Sequence, residues 1–589
     1  MAKTFYTEHD IQDLIKRGIT SLEVNDDVVV TDAGRDYAFK QGFHLVRSGK
    51  QSTRGNVSKE EKKGDAEVLV SQVKEAVMAR IEVGIETRTE NRSTPLALDS
   101  DLQSIQEARL LAIAAHEAQR KFLHASQAEV DRICAAMAEA AYANAERLAK
   151  MAADETGYGV PEHKTLKNTL CSKILWESIK DIPTVGVIHH DPLHKVYDIA
   201  WPVGIIAALI PSTNPTSTTI FKTIIAVKAR NGIIITPHPS AVKSCIETTR
   251  ILVEAAERAG MPQGLVGCMT RVSLGGTQEL IKHKYIDLIL ATGGSEMVRV
   301  AHSVGKPAYG VGPGNVPVYV DRSADVARAA RYIVASKAFD HSVICATEQA
   351  VVADRPIAAK LEELMKAEGA YFVDKTQAQA LTKLLFSPGP LINPKTVGKS
   401  PQQLAQMCGI SVPASARVLV AKLNEVGERE PLSAEKLTTV LGWYEVDGWE
   451  AGCERCIELI RHGGRGHSLV IHAQDDRIIM EFGLQKPVFR ILVNTFGTLG
   501  AVGFTTGVPI SMTLGPGGEG RAITGDNITV KHMYNIKRLA YEIKPPPEAA
   551  FLPGSTDDPS QQTSKPGSAT EKSDQIEEIV RRVLAEMKT

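Results

Sequence analysis

The sequence predicts an α/β protein built on parallel sheets, and three features of the chain predict it. From about Leu98 to Lys544, apolar runs of strand length alternate with longer segments of good helix formers, the pattern of repeated strand–helix units. The loops after those strands open helices with Pro, Ser, Thr and Asn, as crossover connections do. At 589 residues the chain is also too long for one core, so several domains are expected.

Residues 1–46 read as a small α/β module, with helix Ile11–Lys16, strand Asp27–Val30, helix Ala33–Gln41 and strand His44–Val46. Residues 47–97 read as a linker, polar at Ser48–Gly64 and again at Glu86–Leu96. Between these stretches an amphipathic helix is expected at about 66–83, with Leu69, Val70, Val73, Val77 and Ile81 on one face. The main body opens with two long Ala-rich helices, Leu102–Ala125 and Gln127–Thr156, the second stopped by Gly157. Strand Gly204–Ile210, helix Thr218–Ala229, strand Gly232–Thr236, helix Ala241–Ala259, strand Leu265–Cys268, helix Thr277–His283 and strand Leu288–Ala291 follow in turn. Open sheets of this kind bind ligands beyond the carboxyl ends of their strands, which makes the following loops candidate binding loops.

Composition excludes some classes of partner. The 68 basic and 69 acidic residues nearly cancel, so no basic field is present to hold nucleic acid or an anionic membrane. The longest apolar runs, such as Ile205–Ile210, fall well short of a membrane span. Eight scattered cysteines with no signal peptide ahead of them point to a reducing, cytoplasmic setting. Cys453-Glu-Arg-Cys456 lacks a second pair or a histidine motif and fits a helical face, so no metal site is expected.

The candidate nucleophile is Cys345, in Phe339-Asp-His-Ser-Val-Ile-Cys-Ala-Thr-Glu348. Helix Ala329–Phe339 and a strand from Glu348 onward place it in a turn, where backbone N–H groups can stabilise a thiolate. Three loops, Pro211-Ser-Thr-Asn-Pro-Thr216, Thr236-Pro-His-Pro-Ser240 and Ala291-Thr-Gly-Gly-Ser295, offer N–H groups and small hydroxyls to phosphates or ribose. Gly515-Pro-Gly-Gly-Glu-Gly520 satisfies G-x-G-x-x-G, but no helix follows it, so it is not read as a dinucleotide site.

On these residues the chain resembles the aldehyde dehydrogenase superfamily, specifically its coenzyme A-acylating branch. It is similar to the aldehyde domain of bifunctional aldehyde–alcohol dehydrogenases and to acylating enzymes of bacterial microcompartments. Five stretches carry the likeness in the family's order: Pro211–Thr218, Leu288–Gly294, Gly310-Val-Gly-Pro-Gly-Asn315, Phe339–Glu348 and Glu435-Lys-Leu-Thr-Thr-Val-Leu441. The resemblance implies a Rossmann-like NAD-binding domain at 98–311, an α/β catalytic domain at 312–507 and an oligomerisation and return segment at 508–544. No iron-dependent alcohol dehydrogenase half is expected after Lys544.

The resemblance further implies that Cys345 attacks the aldehyde carbonyl while Asn214 and the Cys345 N–H hold the oxyanion. Glu435 would contact the nicotinamide ribose. Thr236, Pro237, His238 and Ser240 would lie against the adenosine, and Thr292, Gly293 and Gly294 against the pyrophosphate and nicotinamide side. His467, in Gly466-His-Ser468, matches a histidine of acylating relatives and is a candidate contributor to acyl transfer. Aligning on Pro317 puts Val311 where hydrolytic members carry the glutamate that activates water. Coenzyme A is then the expected acyl acceptor, and a homodimer or tetramer the expected assembly. Two other readings stay open: a hydrolytic aldehyde dehydrogenase and a non-catalytic, shell-associated homologue.

Residues 545–572 read as disordered linker, and 573–589 as an amphipathic helix with Ile576, Ile579, Val580, Val583, Leu584 and Met587 on one face. A linker followed by such a helix resembles encapsulation peptides, so shell proteins are an expected partner and a microcompartment lumen the expected location. Residues 66–83 are a second candidate for the same role.

Overall fold

A computed structural model of the chain describes residues 99–386, 392–547 and 550, together with residues 4–6, 8–16, 21–24, 28–30, 38, 41 and 43–47. The chain divides into two compact units, residues 1–96 and 97–589. Most of the expected Ala33–Gln41 helix, the amphipathic segment at 66–83 and the C-terminal helix at 573–589 lie outside the described residues.

In the first unit, strand Thr4–Tyr6 pairs in parallel with Val28–Val30, and Ser21–Val24 pairs in parallel with His44–Arg47. Helix Glu8–Lys16 contributes Ile11 to a small core with Val30, Ala38 and Phe43. The strands Thr4–Tyr6 and Ser21–Val24 carry too few apolar residues to stand out in the sequence.

The second unit begins with helix Ser100–Phe122, capped by Asp99, and helix Gln127–Ala143, which opens on a Ser126/Glu129 capping box. The single helix expected over Gln127–Thr156 is two helices. Asn144 ends the first by turning its side chain back onto Ala140 O at 2.9 Å, in competition with the helical backbone, and Ala145–Thr156 starts afresh. Gly157, at φ 67°, closes the second, where its freedom at positive φ makes the cap.

Two parallel sheets follow. The five-stranded sheet has the spatial order Ala308–Val311, Leu288–Thr292, Ile205–Ile210, Gly232–Pro237 and Val266–Cys268. The seven-stranded sheet runs Ala370–Phe372, Val418–Lys422, Val440–Val446, Glu348–Asp354, Val316–Val320, Leu469–His472 and Ile491–Val493. Their central strands are covered on both faces. Every residue of Ile205–Ile210, Gly232–Pro237, Val316–Val320 and Glu348–Asp354 is buried, which is why they read as unbroken apolar runs rather than alternating ones.

Helix Pro215–Lys228 is buried along its whole length, so even its Lys222 ammonium is spent inside, donating to Leu209 O and Leu290 O at 2.9 Å each. A third, antiparallel sheet joins Gly186–Asp191, Val196–Pro202 and the C-terminal strand Tyr534–Ala540.

Chain direction decides where chemistry can gather. Asn214, Thr292 and Val311 stand at or just past the carboxyl ends of strands in the five-stranded sheet, as the parallel-sheet rule expects. Cys345 and His467 instead come just before strands Glu348–Asp354 and Leu469–His472 of the seven-stranded sheet. The rule that places binding loops therefore finds half of this site and misses the nucleophile.

Candidate active site

Helix Val326–Ala338 ends at Phe339, and the chain then makes three consecutive left-handed residues, Asp340, His341 and Ser342, at φ 48°, 49° and 66°. None is glycine, so each costs on the order of 1–2 kcal/mol and must be held by its surroundings. Asp340 is that hold. It is wholly buried, accepts from Val160 N at 2.7 Å and from Lys164 Nζ at 3.0 Å, and is also bonded by Lys167 Nζ. Burial pushes its carboxyl up, but Lys167 and Lys164 outweigh that and keep it below the ordinary carboxylate range. The turn then delivers Val343 and Ile344 to the core and leaves Cys345 half-buried.

Cys345 faces a cavity of about 510 Å³ whose wall also includes Asn214, His238, Ser240, Val311 and Glu435. Its thiol is pushed up to about 12 by burial first and by the Glu435 charge second, while Arg490 and the backbone N–H groups of Cys345 and Ala346 act the other way. The sequence reading asked for donors at the sulfur, and they are present. Burial outweighs those donors, so the thiol stands above its ordinary value.

His467 Nε2 lies 3.2 Å from Cys345 Sγ. Burial, helped by Arg490, lowers this imidazole to about 3, so it is neutral and can donate from only one ring nitrogen. Its other nitrogen, Nδ1, sits 3.0 Å from Ser468 Oγ. The sequence offered a histidine beside a serine but no measure of how near the cysteine it comes. Room for the pair is made by Gly314, where an added Cβ would fall 2.2 Å from Cys345 O and 3.1 Å from the His467 ring.

Asn214 is the N-cap of helix Pro215–Lys228, yet its side chain makes no cap bond. Lys167 Nζ donates to its Oδ1, and its Nδ2 donates to Thr213 Oγ1 at 3.1 Å and to Val343 O at 3.2 Å. The ammonium on Oδ1 polarises the amide, which makes Nδ2 a stronger donor once it exchanges one of these acceptors for an oxyanion.

Glu435 is the only acidic residue lining the cavity among the described residues. Its carboxylate accepts from Gly314 N at 2.9 Å, and burial raises it to about 7 despite that bond and the nearby Lys337 and Lys436.

Thr292, Gly293 and Gly294 line the same cavity, whereas Thr236 and Pro237 do not. Both of the latter are buried in their strand, Thr236 with its hydroxyl 3.7 Å from Met269 Sδ. His238 and Ser240 are exposed there, with Ser240 N donating to His238 Nδ1 at 3.1 Å. The residues present fit a dinucleotide. Thr218 Oγ1 and Thr292 Oγ1 are buried at the cavity without a hydrogen-bond partner, and a Cβ on Gly294 or Gly312 would meet nothing within 4 Å. Helix Ser295–Ser303 begins at the same place with no side-chain cap, leaving its first N–H groups for an anion.

Cys453 and Cys456 lie buried on helix Gly448–Gly463, and no group of three or more His, Cys, Asp or Glu among the described residues is placed to hold a metal. Residues 515–520 form a loop ending in a short 3₁₀ turn, Gly518–Gly520, with no helix after it.

Residues 95–407 match the aldehyde dehydrogenase family. Over 429 residues, 72% of this chain, the sequence is 40% identical to an aldehyde-alcohol dehydrogenase of Clostridium acetobutylicum. The match covers 49% of that protein, so the chain spans about half the length of this relative. Among solved structures, an acetylating aldehyde dehydrogenase from Geobacillus thermoglucosidasius is 48% identical with a TM-score of 0.75, over 76% of this chain and 99% of that one. A propionaldehyde dehydrogenase from the Clostridium phytofermentans fucose utilisation bacterial microcompartment is 29% identical, with a TM-score of 0.68 over 74% and 97% of the two chains. One from Rhodopseudomonas palustris, with bound CoA and an acylated cysteine, is 26% identical, with a TM-score of 0.67 over 74% and 97%. A family match across more than half of the chain, on a fold with this pairing of sheets and this cysteine in this turn, establishes that the chain belongs to the aldehyde dehydrogenase family.

Proposed function

We propose that this protein oxidises a short-chain aldehyde to its acyl-CoA, with NAD as hydride acceptor. The observation that carries the reading is Val311. It lines the cavity with Cys345 but has no group that can take a proton from water, and Glu435 on the same wall is engaged with Gly314 N. An acyl group on Cys345 therefore lacks a base for hydrolysis, and a thiol that ionises more readily than water is the better acceptor. The Rhodopseudomonas palustris relative, with bound CoA and an acylated cysteine, supports this reading.

Cys345 Sγ adds to the aldehyde carbonyl as the thiolate, its proton released to solvent, and the charge on the resulting oxyanion meets Asn214 Nδ2 and the Cys345 N–H. One such donor is worth about 2.7–4 kcal/mol of barrier. A bound nicotinamide would supply the hydride acceptor for this oxidation. Glu435 would hold its ribose, Thr292, Gly293 and Gly294 its pyrophosphate side, and His238 and Ser240 its adenosine end; Thr236 and Pro237 support that end from within the strand. His467, beside the sulfur, then serves the exchange of Cys345 for the incoming coenzyme A thiol.

The test is direct. Purified protein should form NADH from acetaldehyde or propionaldehyde only when coenzyme A is present, and Cys345→Ala should lose that activity while binding NAD like wild type. NADH formation without coenzyme A, accompanied by free acid, would refute the acylating reading.

We further propose that the enzyme is a homodimer or tetramer and works in a microcompartment lumen, reached through shell contacts of the sequence at 573–589. The Clostridium phytofermentans relative, which comes from such a compartment, supports this placement.

A further inference from the structure

Arg490 is a charge in an unusual place. It is 4% exposed, and a guanidinium stays protonated, so the fold carries a buried cation at a cost of several kcal/mol unless it is matched. No carboxylate matches it: among the described residues it makes no ion pair within 4.0 Å. Its Nη1 donates to Gly525 O at 2.9 Å and Asn527 Oδ1 at 3.3 Å, and its Nη2 to Gly515 O at 2.6 Å. Its Nε–H donates to Ser468 Oγ at 3.3 Å.

That last bond fixes a direction. Ser468 Oγ accepts from Arg490, so its own proton is free to go to His467 Nδ1, 3.0 Å away and its one other partner among the described residues. An imidazole that accepts at Nδ1 carries its hydrogen on Nε2, and Nε2 lies 3.2 Å from Cys345 Sγ. The chain of donors then runs one way, from guanidinium through hydroxyl and imidazole to sulfur.

We infer that Arg490 is a positioning residue for the acyl-transfer chemistry: through Ser468 it holds His467 in the tautomer that donates to Cys345 Sγ, and its unmatched charge favours the anionic sulfur. The inference rests on the acylating reading for its purpose, since the sulfur has to be an anion when it attacks the aldehyde and again when it leaves to the coenzyme A thiol. It assigns His467 the part of donor to sulfur rather than base, in keeping with an imidazole too weakly basic to take a thiol proton. It also explains why the glycine-rich loop at 515–520 and its return at 525–527 are here: their carbonyls hold the guanidinium in place.

Charged and titratable groups facing the sulfur are Glu435, which opposes its ionisation, and Arg490 and His467, which favour it. Lys337 and Lys436 stand near Glu435, and Asp526 near Arg490, with its carboxylate 3.4 Å from His532 Nε2.

The experiment is the rate of iodoacetamide alkylation of Cys345 at pH 8, read on its peptide by mass spectrometry in the full-length protein. Ser468→Ala, which breaks the relay and keeps the charge, should slow alkylation by about tenfold or more. Ser468→Thr, which keeps the hydroxyl, should restore it. Arg490→Met should slow it by more than Ser468→Ala, and Arg490→Lys by less than Arg490→Met. A wild-type rate in folded Ser468→Ala would overturn the relay, as would equal slowing in Ser468→Ala and Ser468→Thr. Alkylation needs neither coenzyme A nor aldehyde, so a failed relay and a failed acylating reading give separate results.

Discussion

Val311 and His467 are the residues whose chemistry is most exposed to test. If the missing carboxylate is what keeps water from the acyl-enzyme, Val311→Glu should raise the ratio of free acid to acyl-CoA, read by chromatography of the products. An unchanged ratio in a folded variant would mean that another feature of the cavity excludes water. His467 predicts a stability effect. Its folded value is about 3 against 6.5 in the open chain, so between those values the unfolded state binds the proton and the native state does not. The stability at stake is complete above 6.5 and is lost as the pH falls toward 3. His467→Gln cannot take up that proton, so its Tm should fall less steeply than that of wild type between about pH 6.5 and 4. Identical slopes would show that other histidines, such as His472, carry the acid sensitivity.

The left-handed turn before the nucleophile is the element on which the site hangs. Asp340 pairs with both Lys164 and Lys167, and Lys167 in turn holds the Asn214 amide, so one carboxylate links the geometry of the nucleophile to that of the oxyanion donor. Asp340→Asn leaves two buried ammonium groups without a counter-charge, at a cost of about 3–5 kcal/mol. Its Tm should drop by several degrees and its aldehyde oxidation should fall further than the lost stability explains, measured on the fraction still folded. Full activity per folded molecule would separate the turn from the site.

The geometry of that turn was not legible in the sequence. Phe339–Glu348 marked the cysteine and its loop, and the apolar runs marked four strands of the five-stranded sheet to within a residue or two, because burial on both faces writes itself directly into composition. The same patterning gave no sign that Asp340, His341 and Ser342 adopt positive φ, since none is glycine. Nor did it show that Lys167, on helix Pro161–Thr169, reaches Asn214. Those facts depend on contacts between segments more than 40 residues apart, which local periodicity does not carry. The break at Asn144 was within reach, because Asn is a poor helix residue that bonds its own backbone, but the Ala-rich sequence on both sides outweighed it.

At the scale of the whole molecule, the segment after residue 507 ties the catalytic body together rather than trailing from it. Gly515, Gly525 and Asn527 hold Arg490 behind the nucleophile, and strand Tyr534–Ala540 completes the antiparallel sheet by pairing along Val196–Pro202. A chain cut after residue 547 keeps all of these contacts and should oxidise aldehyde at the wild-type rate. A chain cut after residue 532 exposes the edge of Val196–Pro202 and should lose both yield and activity. Beyond 547 the expectation rests on sequence alone. The apolar residues Ile576, Ile579, Val580, Val583, Leu584 and Met587 recur at helical spacing, and Glu577–Arg581 and Glu578–Arg582 stand four residues apart on the opposite side, a balanced polar face ill suited to an anionic membrane. An isolated helix this short is marginal in water, so an apolar stripe on it calls for a partner surface. Residues 546–589 fused to a fluorescent protein should therefore enter co-expressed microcompartment shells, seen as puncta and as co-purification with shell protein. Ile579→Asp with Leu584→Asp should abolish that targeting and leave the full enzyme's catalysis intact. Diffuse fluorescence from the intact fusion, or lost catalysis in the double variant, would point instead to a surface on the enzyme's own body.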